Sequence, residues 1–591
     1  MRILSGAKAA GPERVRTAVM GMVAAGVFVF AWLFRFNDPS GSFAGLTDDH
    51  FFYLVRGWQI LFGELPVRDF VDHGAPLYYY VGAAVQLLLG RGTLSEIAFS
   101  STALALGAAL TYWLAARGSG SILAGLAGAA FHVLLAPRFY NYPKVLVYAV
   151  ALPLLWRFAE TRSPRLRVAL AGVTAAGFLF RHDHGVFVAV AVAVLLLLLT
   201  GVSWRERLGH AVIYVVLTGA FLSPYLLFVQ LNGGVTAYVR QAAAWAERDR
   251  GRAPVEWPGL LDNPDGVSAA ASEGTGPGRY VAIVRDNAVA WVYYLEIALP
   301  LVALGLLALS RDAFRPGWPL AGARLGTVAI LALVLDAGFL RSPLEARLAD
   351  PSVPLAILVA WLPVALVRLV ASRHSLRPSL ERRAWPLRVS ACAVGVPLLL
   401  LLAAGVTREV YDRLDAASLV DRPKNAFERV GQLSDQYRRE WELDTWVDRP
   451  GRSALIDLSL YLQRCTTADD RVLVQGYLPQ VVAMARRGFA GGHADLRPGF
   501  FGTPDEQSLT VARLRGQSVP VILLDAGASY EEFRKGFPLV MAHIDREYRI
   551  AGMRDFDRHG ITLFVRRDRT PSGTYALFDW PCYANPAPPT V

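Results

Sequence analysis

The chain has 591 residues, of which 54% are hydrophobic and 18% are charged. Soluble globular proteins have about 45–50% apolar and roughly 25% charged residues, so this composition argues against a soluble protein. The net charge of +11 does not indicate nucleic-acid binding, because membrane proteins collect Arg and Lys in cytoplasmic loops and no separate basic domain is present.

The N-terminus carries basic residues before an apolar stretch, as a signal peptide does. The stretch at 17–35 approaches the length of a full membrane span, and no small-residue cleavage site follows it. We therefore predict an uncleaved first helix. About twelve apolar segments are candidates for membrane helices. They are residues 17–35, 75–90, 96–116, 120–136, 144–158, 166–180, 185–201, 208–230, 288–309, 320–340, 351–371 and 388–406.

Basic clusters predict the orientation, because Lys and Arg concentrate on the cytoplasmic side. The 157–167 and 373–388 loops are rich in Arg and are predicted to be cytoplasmic. An N-terminus inside and a C-terminal domain outside require an odd number of crossings, whereas twelve segments are counted. The discrepancy lies between residues 75 and 143, where one segment is wrongly merged or does not cross. The fold class is thus a mainly α, polytopic helix bundle of about 11–13 membrane helices with a C-terminal extracytoplasmic α/β domain. The predicted parts are a cytoplasmic N-terminus (1–16), a transmembrane domain (17–406) with outward loops at 36–74 and 231–287, and the soluble domain (407–591).

The C-terminal part has a different pattern from the rest. Short apolar or alternating runs at 471–476, 519–527 and 561–567 predict strands. Stretches at 478–487 and 529–547 predict amphipathic helices between them. Together they indicate a small α/β domain.

Three cysteines are present, and their spacing is not that of a metal site. Cys465 and Cys582 both lie in the C-terminal domain. They either pair, if that domain faces an oxidising compartment, or remain two reduced buried thiols.

The first outward loop contains a predicted amphipathic helix. Thr47 is a candidate N-cap, and Asp48 and Asp49 occupy the first turn, where the helix dipole favours acids. Gly63 and Pro66 end the helix. The apolar face predicts a helix lying along the membrane surface. Its members are Phe51, Leu54, Val55, Trp58 and Phe62.

Acidic residues are concentrated in this loop. The purely structural interpretation is that Asp48 and Asp49 start a helix and that Asp69 and Asp72 pair with Arg68. The clustering favours instead a site for proton abstraction at the membrane surface. The six acids are Asp38, Asp48, Asp49, Glu64, Asp69 and Asp72, against the three arginines Arg35, Arg56 and Arg68.

The order of parts resembles the GT-C glycosyltransferases, in particular the bacterial aminoarabinose transferase and protein O-mannosyltransferase group. There an acidic pair, usually Asp-Glu, precedes aromatics and is followed by Glu-Lys-Pro-Pro-Leu-Tyr. Here the pair is Asp48-Asp49, with Asp in place of Glu, so either residue can hold the catalytic place. His73 stands where the family has Lys, with an extra residue before Pro76. The downstream element reads Asp72-His73-Gly74-Ala75-Pro76-Leu77-Tyr78-Tyr79.

The resemblance implies transfer of a sugar from a polyprenyl-phosphate donor to an extracytoplasmic lipid, glycan or protein, in the bacterial inner membrane. Asp49 or Asp48 would act as general base, with Asp72 as a second acid. The aminoarabinose and mannosyl types are not thought to depend on metal, so a divalent ion is possible but not predicted.

Polar groups near the predicted outer membrane edge are the remaining candidates. A polyprenyl-phosphate donor needs cations that hold the departing phosphate, although each residue could instead be a snorkelling side chain. His182 and His184 project poorly for a shared metal, so we predict no metal site there. The predicted phosphate-binding residues are Arg138, Lys144, Arg181, Arg341 and His73. The predicted substrate-binding residues are Tyr53, Arg56, Tyr78 and Tyr142.

Two functions from other classes compete with this interpretation. A transporter or flippase of lipid-linked glycans would show internal repeats and interrupted helices, and no convincing repeat is found. A non-catalytic membrane scaffold would tolerate Asn at both Asp48 and Asp49.

Overall fold

The structure is a computed structural model that describes residues 10–37, 46–250, 257, 259, 287–309, 318–340, 347–374, 400, 425–557 and 559–584. Several predictions concern residues outside these ranges. They are Arg341, most of the helix predicted at 388–406, the boundary at 406/407, and most of the second half of the 231–287 loop.

The chain divides into two compact units, which are described separately below. Unit 1 comprises Met1–Pro39, Ser100–Pro224 and Ala253–Val430. Unit 2 comprises Ser40–Phe99, Tyr225–Arg252 and Gly431–Val591. Residues 40–74, which form most of the first loop predicted to face outward, therefore belong to the same compact unit as the C-terminal domain.

Helices dominate the first 374 residues. Eleven of the twelve apolar segments predicted from sequence coincide with a helix, and the twelfth falls almost wholly outside the described ranges. The helices are α1 (Ala10–Phe36), α2 (Asp48–Leu61), α3 (Pro76–Leu89), α4 (Thr93–Ser119), α5 (Ile122–Leu134), α6 (Tyr142–Thr161), α7 (Pro164–Phe180), α8 (His182–Leu198), α9 (Trp204–Leu231), α10 (Val235–Arg250), α11 (Ala288–Leu309), α12 (Trp318–Asp336) and α13 (Ser352–His374).

Five of these helices are long and apolar enough to cross a membrane by length and composition. They are α1, α4, α9, α11 and α13. Three shorter apolar helices, α3, α5 and α8, accompany them. These helices indicate a membrane protein.

Close helix packing in unit 1 depends on small residues. α5 packs against α13, and a Cβ added at Gly128 would lie 2.5 Å from the carbonyl oxygen of Ala356. A Cβ at Gly125 would lie 2.6 Å from the Cβ of Ala116 on α4. In an apolar surrounding, helices associate through such close backbone contact, because burial away from water gives little additional driving force.

Unit 2 contains the predicted α/β domain. Its five-stranded sheet has the order β2-β1-β3-β5-β4, with β1 parallel to β2 and β3 and with β5 antiparallel to β3 and β4. The strands are β1 (Arg471–Val474), β2 (Gly488–Phe489), β3 (Val521–Asp525), β4 (Tyr548–Phe556) and β5 (His559–Arg566), with a separate hairpin of β6 (Gly573–Tyr575) and β7 (Trp580–Cys582). The three predicted strands are confirmed as β1, β3 and β5.

Two helices precede the first strand of the sheet, and four more lie between its strands. They are α14 (Ala426–Trp441), α15 (Ala454–Cys465), α16 (Pro479–Met484), α17 (Pro504–Gly516), α18 (Ala528–Gly536) and α19 (Pro538–Glu547). The single helix predicted at 529–547 is two helices, because Pro538 begins a new one. Proline has no backbone N–H to continue a helix but is well suited to the first turn of the next.

The domain core lies beneath the sheet. Leu473, Ile522 and Phe564 from three strands pack with Phe537 and Ile544 from the helical side, and all are 3% exposed or less. Cys465 and Cys582 form a disulfide, which settles the two alternatives left open by the sequence in favour of pairing.

The apolar face of α2 is buried in protein. Phe51, Leu54, Val55 and Trp58 are each 2% exposed or less, and α2 packs against α3 and α16. A Cβ at Gly57 would lie 3.1 Å from the backbone nitrogen of Ala83, so α2 and α3 approach closely. The prediction that this face lies on the membrane is therefore wrong, because periodicity identifies a buried face but not what covers it.

Candidate functional site

Asp49 stands at the start of α2, where it contacts the C-terminal domain. Its Oδ1 accepts a hydrogen bond of 2.6 Å from the hydroxyl of Tyr477, which follows strand β1. Burial and the charge of Asp49 raise the pKa of Tyr477 well above its usual value, so the phenol stays protonated and remains a donor. Thr47 is the N-cap residue as predicted, but its side chain makes no capping hydrogen bond. The side chain of Asp48 lies outside what the structure describes.

Backbone and side-chain hydrogen bonds fix the loop against the carboxyl end of strand β2. Gln59 donates from Nε2 to the carbonyl oxygen of Phe489 (3.0 Å) and accepts from its amide (3.2 Å). The amide of Val71 donates to the carbonyl oxygen of Gly492 (3.0 Å). Because β1, β2 and β3 are parallel, their carboxyl ends share one edge, which is the edge where ligands bind in open α/β sheets.

A buried ion pair adds to this attachment. Arg471 donates from Nε to Oε1 of Glu64 at 2.8 Å, and the two side chains are 11% and 16% exposed. Gln517 donates from Nε2 to Oε2 of the same carboxylate at 3.3 Å. The carboxylate therefore joins the first loop to strand β1 and to the chain segment before β3.

Arg56 and His73 form the next layer of the site. Arg56, 1% exposed, places Nη2 3.0 Å from Nδ1 of His73. A guanidinium can only donate, so Nδ1 of His73 accepts and its proton lies on Nε2. Burial, followed by the charge of Arg56, lowers the pKa of His73 well below its usual value. His73, predicted as a phosphate-binding residue, is thus a neutral hydrogen-bond donor.

Aromatic rings enclose His73. The ring centroids of Phe52, Phe501 and Trp245 lie 5.2, 5.6 and 5.9 Å from its own, all at steep angles. The guanidinium of Arg56 lies 3.4 Å over the ring of Phe52. These walls keep water from the imidazole and account for the desolvation that lowers its pKa.

The segment after β2 brings a second acid and a second arginine. Asp495 is 4% exposed and accepts two hydrogen bonds from Arg497, at 2.6 and 3.0 Å. Its Oδ1 lies 3.7 Å from Nη2 of Arg56. The guanidinium of Arg497 also lies 5.0 Å from the ring centroid of Tyr477. Arg497 thereby connects the Asp495 group to the residue that holds Asp49.

Asp72 is fully engaged by donors. Its Oδ1 accepts from the amides of Gly74 (2.9 Å) and Ala75 (3.0 Å). Its Oδ2 accepts from the hydroxyls of Tyr225 (2.7 Å) and Tyr238 (2.6 Å). Four hydrogen bonds on a buried carboxylate favour a structural role, in which Asp72 shapes the turn before α3 and binds α10 to it.

No known protein family and no curated protein matches this chain.

The predicted substrate-binding tyrosines Tyr53 and Tyr78 lie together in unit 2. Their rings stack with centroids 4.1 Å apart and an interplanar angle of 25°. Tyr53 is on α2, one turn beyond Asp49, and Tyr78 is on α3, where it is 3% exposed. The stacked pair therefore joins the helix of the candidate base to α3. Tyr142 belongs to unit 1, where it is 1% exposed and contacts Phe180 edge-on.

Two of the predicted phosphate-binding cations in unit 1, Lys144 and Arg181, are each paired with a carboxylate. Lys144 donates to both oxygens of Asp350 at 2.7 Å. Arg181 donates from Nε to Asp183 at 2.8 and 3.0 Å. The charges of Arg181 and Asp183 act on Lys144, so these residues form one cluster, in which each cation is balanced by a carboxylate.

Two further arginines of unit 1 are Arg138 and Arg347. Arg138 precedes a short 3-10 helix and is exposed. Arg347 donates to the carbonyl oxygen of Gly338 at 3.0 Å and interacts electrostatically with Arg181 and Asp350. Arg341 lies outside the described residues.

Two carboxylates in the apolar helices of unit 1 have no hydrogen-bond partner among the described residues. They are Glu296 on α11, which is 0% exposed, and Asp336 at the end of α12, which is 6% exposed. The two helices pack against each other. Ionisable residues inside membrane helices are costly and usually functional.

No group of three or more His, Cys, Asp or Glu side chains capable of holding a metal occurs in the described part of the chain. His184 instead shares a hydrogen bond of 3.0 Å with the hydroxyl of Tyr148, and His182 stacks on Phe178.

Sequence reasoning found Asp49, Arg56 and His73 but missed their partners Tyr477, Asp495 and Arg497. A signal for Tyr477 was present, since it directly follows a predicted strand. The carboxyl ends of parallel strands are where ligand-binding residues gather. No local signal connected residue 477 with residue 49.

Proposed function

We propose that this protein is a membrane glycosyltransferase that uses a polyprenyl-phosphate sugar as donor. Asp49 removes the proton from an acceptor hydroxyl or amine, and that oxygen or nitrogen forms a bond to the anomeric carbon. The bond between the anomeric carbon and the phosphate oxygen breaks, and its electron pair leaves with the polyprenyl phosphate. The products are the glycosylated acceptor, the lipid phosphate and a protonated Asp49.

The observation that supports this most is the environment of Asp49. Tyr477 is its one hydrogen-bonding partner in the described part of the chain, so its carboxylate retains acceptor capacity. Asp72, by contrast, accepts four hydrogen bonds. A general base must reach the proton that it removes, and this requirement favours Asp49 over Asp72.

The donor phosphate is bound by cationic residues, as the resemblance to GT-C enzymes implies. The candidates remain Arg138, Lys144, Arg181 and Arg341. Lys144 and Arg181 are each paired with a carboxylate, so a phosphate would have to share or displace Asp350 and Asp183. His73 contributes a neutral Nε2–H donor within unit 2.

The proposed location is the bacterial inner membrane, with the acidic loop and the C-terminal domain on the extracytoplasmic side. The disulfide between Cys465 and Cys582 supports this, because disulfides persist in oxidising compartments and are rare in the cytosol. The acceptor is then an envelope lipid, glycan or protein.

The test is transfer of labelled sugar in membranes that contain Asp49→Asn or Asp48→Asn. Loss of a general base typically lowers the rate by about 10²–10⁴-fold, and we expect this for Asp49→Asn. The control is Asp435→Asn, which changes an exposed acid on α14 by the same isosteric step. Full transfer by the folded Asp49→Asn protein would refute the role of Asp49, and full transfer by both loop variants would refute the enzyme.

A transporter of lipid-linked glycans is the second candidate. It is favoured by the buried carboxylates Glu296 and Asp336, which have no hydrogen-bond partner within the described ranges. Proton relays in transporters use such intramembrane carboxylates. In that case Glu296→Gln and Asp336→Asn would abolish movement of the lipid-linked glycan, while Asp49→Asn would have little effect. If all three variants are fully active, the protein is instead a non-catalytic membrane scaffold.

A further inference from the structure

Unit 1 contains an open cavity of about 320 Å³ that none of the proposed chemistry uses. It lies where α4 and α6 end and α7 begins. Its walls are mostly apolar, and arginines stand at its rim. The lining residues are Trp113, Arg117, Pro153, Leu154, Trp156, Arg157 and Leu166.

The charge around this cavity is unbalanced. Glu160 is paired with three guanidinium groups, namely Arg117 (2.8 Å), Arg157 (2.9 Å) and Arg324. Three positive charges on one carboxylate leave a local excess of two in the described part of the chain. Arg157 is 61% exposed and Arg117 is 37% exposed, so both can reach a ligand without breaking the fold.

Two Arg–Trp pairs lie beside the cavity. Arg117 lies two residues before the end of α4, a helix apolar and long enough to span a bilayer. Its guanidinium lies 5.1 Å from the ring centroid of Trp113, and that of Arg324 lies 5.8 Å from the ring centroid of Trp156. Trp near the end of a membrane helix, with Arg beyond it, is the arrangement typical of the boundary between hydrocarbon and headgroups.

We propose that this cavity binds an anionic phospholipid. The headgroup phosphate is held by Arg117 and Arg157, which supply charge-assisted hydrogen bonds. The start of an acyl chain lies along Leu154, Leu166 and the tryptophan rings. Basic pockets between membrane helices are known to take anionic headgroups, and the apolar lining distinguishes this cavity from a site for a free anion.

The test measures lipid binding to the purified full-length protein in a neutral detergent by native mass spectrometry. The probes are dioleoyl phosphatidylglycerol, dioleoyl phosphatidylcholine and inorganic phosphate. The variant Arg117→Gln/Arg157→Gln should bind phosphatidylglycerol roughly 10–30-fold more weakly, since each basic side chain near a membrane surface contributes about 1 kcal/mol. The control, Arg14→Gln/Arg205→Gln, removes the same charge at two exposed helix starts and should bind normally.

A second variant keeps the arginines and fills the cavity. Leu166→Trp should weaken phosphatidylglycerol binding while leaving the thermal midpoint unchanged. If the double Arg variant does not fold, lipid binding by Leu166→Trp alone tests the proposal. Equal weakening by the control pair would overturn the proposal, as would equal binding of phosphatidylcholine. A thermal stabilisation by inorganic phosphate equal to that by phosphatidylglycerol would also overturn it, because the acyl chain would then contribute nothing.

Discussion

Glu64 is the residue whose substitution best tests whether the first loop is held by the C-terminal domain. Its carboxylate accepts from Arg471 at 2.8 Å, and both side chains are at least four-fifths buried. Glu64→Gln keeps the shape but removes the negative charge, which leaves the guanidinium of Arg471 without a counter-ion. Gln517 also loses the carboxylate to which its Nε2 donates.

The expected loss follows from this burial. Removal of one partner from a buried ion pair costs about 3–5 kcal/mol, whereas an exposed pair is worth about 0–1 kcal/mol. Glu64→Gln retains one hydrogen-bonding oxygen, so we expect the lower end, about 3 kcal/mol. At roughly 2–4 °C per kcal/mol, the thermal midpoint of the purified protein should fall by about 6–12 °C.

The assay is thermal unfolding followed by tryptophan fluorescence, with Asp435→Asn as the exposed-pair control. The double variant Glu64→Gln/Arg471→Gln should recover part of the loss, because it removes the unpaired charge. If Glu64→Gln lowers the midpoint no more than Asp435→Asn does, the loop is not held in this way.

Three further predictions follow from the same contacts. Tyr477→Phe removes the 2.6 Å hydrogen bond to Asp49, so sugar transfer should fall about tenfold to a hundredfold; Tyr548→Phe, a buried tyrosine of the domain core, is the control, and full transfer by the folded Tyr477→Phe protein would contradict a positioning role. Burial lowers the pKa of His493 from 6.5 to about 3, so below pH 6.5 the unfolded chain takes up a proton that the folded one does not, and stability is lost as the pH falls. The free energy of unfolding of the wild type should therefore fall by about 1.4 kcal/mol per pH unit below pH 6.5, and that of His493→Asn should lack this contribution. Equal losses of unfolding free energy in the two proteins between pH 6.5 and 5 would disprove it. Cys465→Ser should destabilise the C-terminal domain by roughly 2–5 kcal/mol, because the disulfide closes a loop with a sequence separation of 117; reduction of the wild type should have the same effect and none on the variant.

The sequence determined the elements whose patterns are local. Apolar length predicted eleven described helices, and alternation predicted β1, β3 and β5, because hydrophobic periodicity follows from the 3.6- and 2-residue repeats of the backbone. It also singled out the acidic loop with Asp49 and the motif around His73, since acids and aromatics near an apolar segment are visible without any structure.

Only the tertiary structure decided what these residues contact. The apolar face of α2 is covered by protein instead of lipid, and Asp49 is paired with Tyr477, more than 400 positions away in the chain. Asp72, predicted as a second catalytic acid, is engaged by Tyr225 and Tyr238. His73, predicted as a phosphate-binding residue, is neutral because it is buried and accepts a hydrogen bond from Arg56. The physical reason is common to all of them: charge state and acceptor capacity depend on burial and on partners that folding brings from distant segments, and no local pattern encodes these.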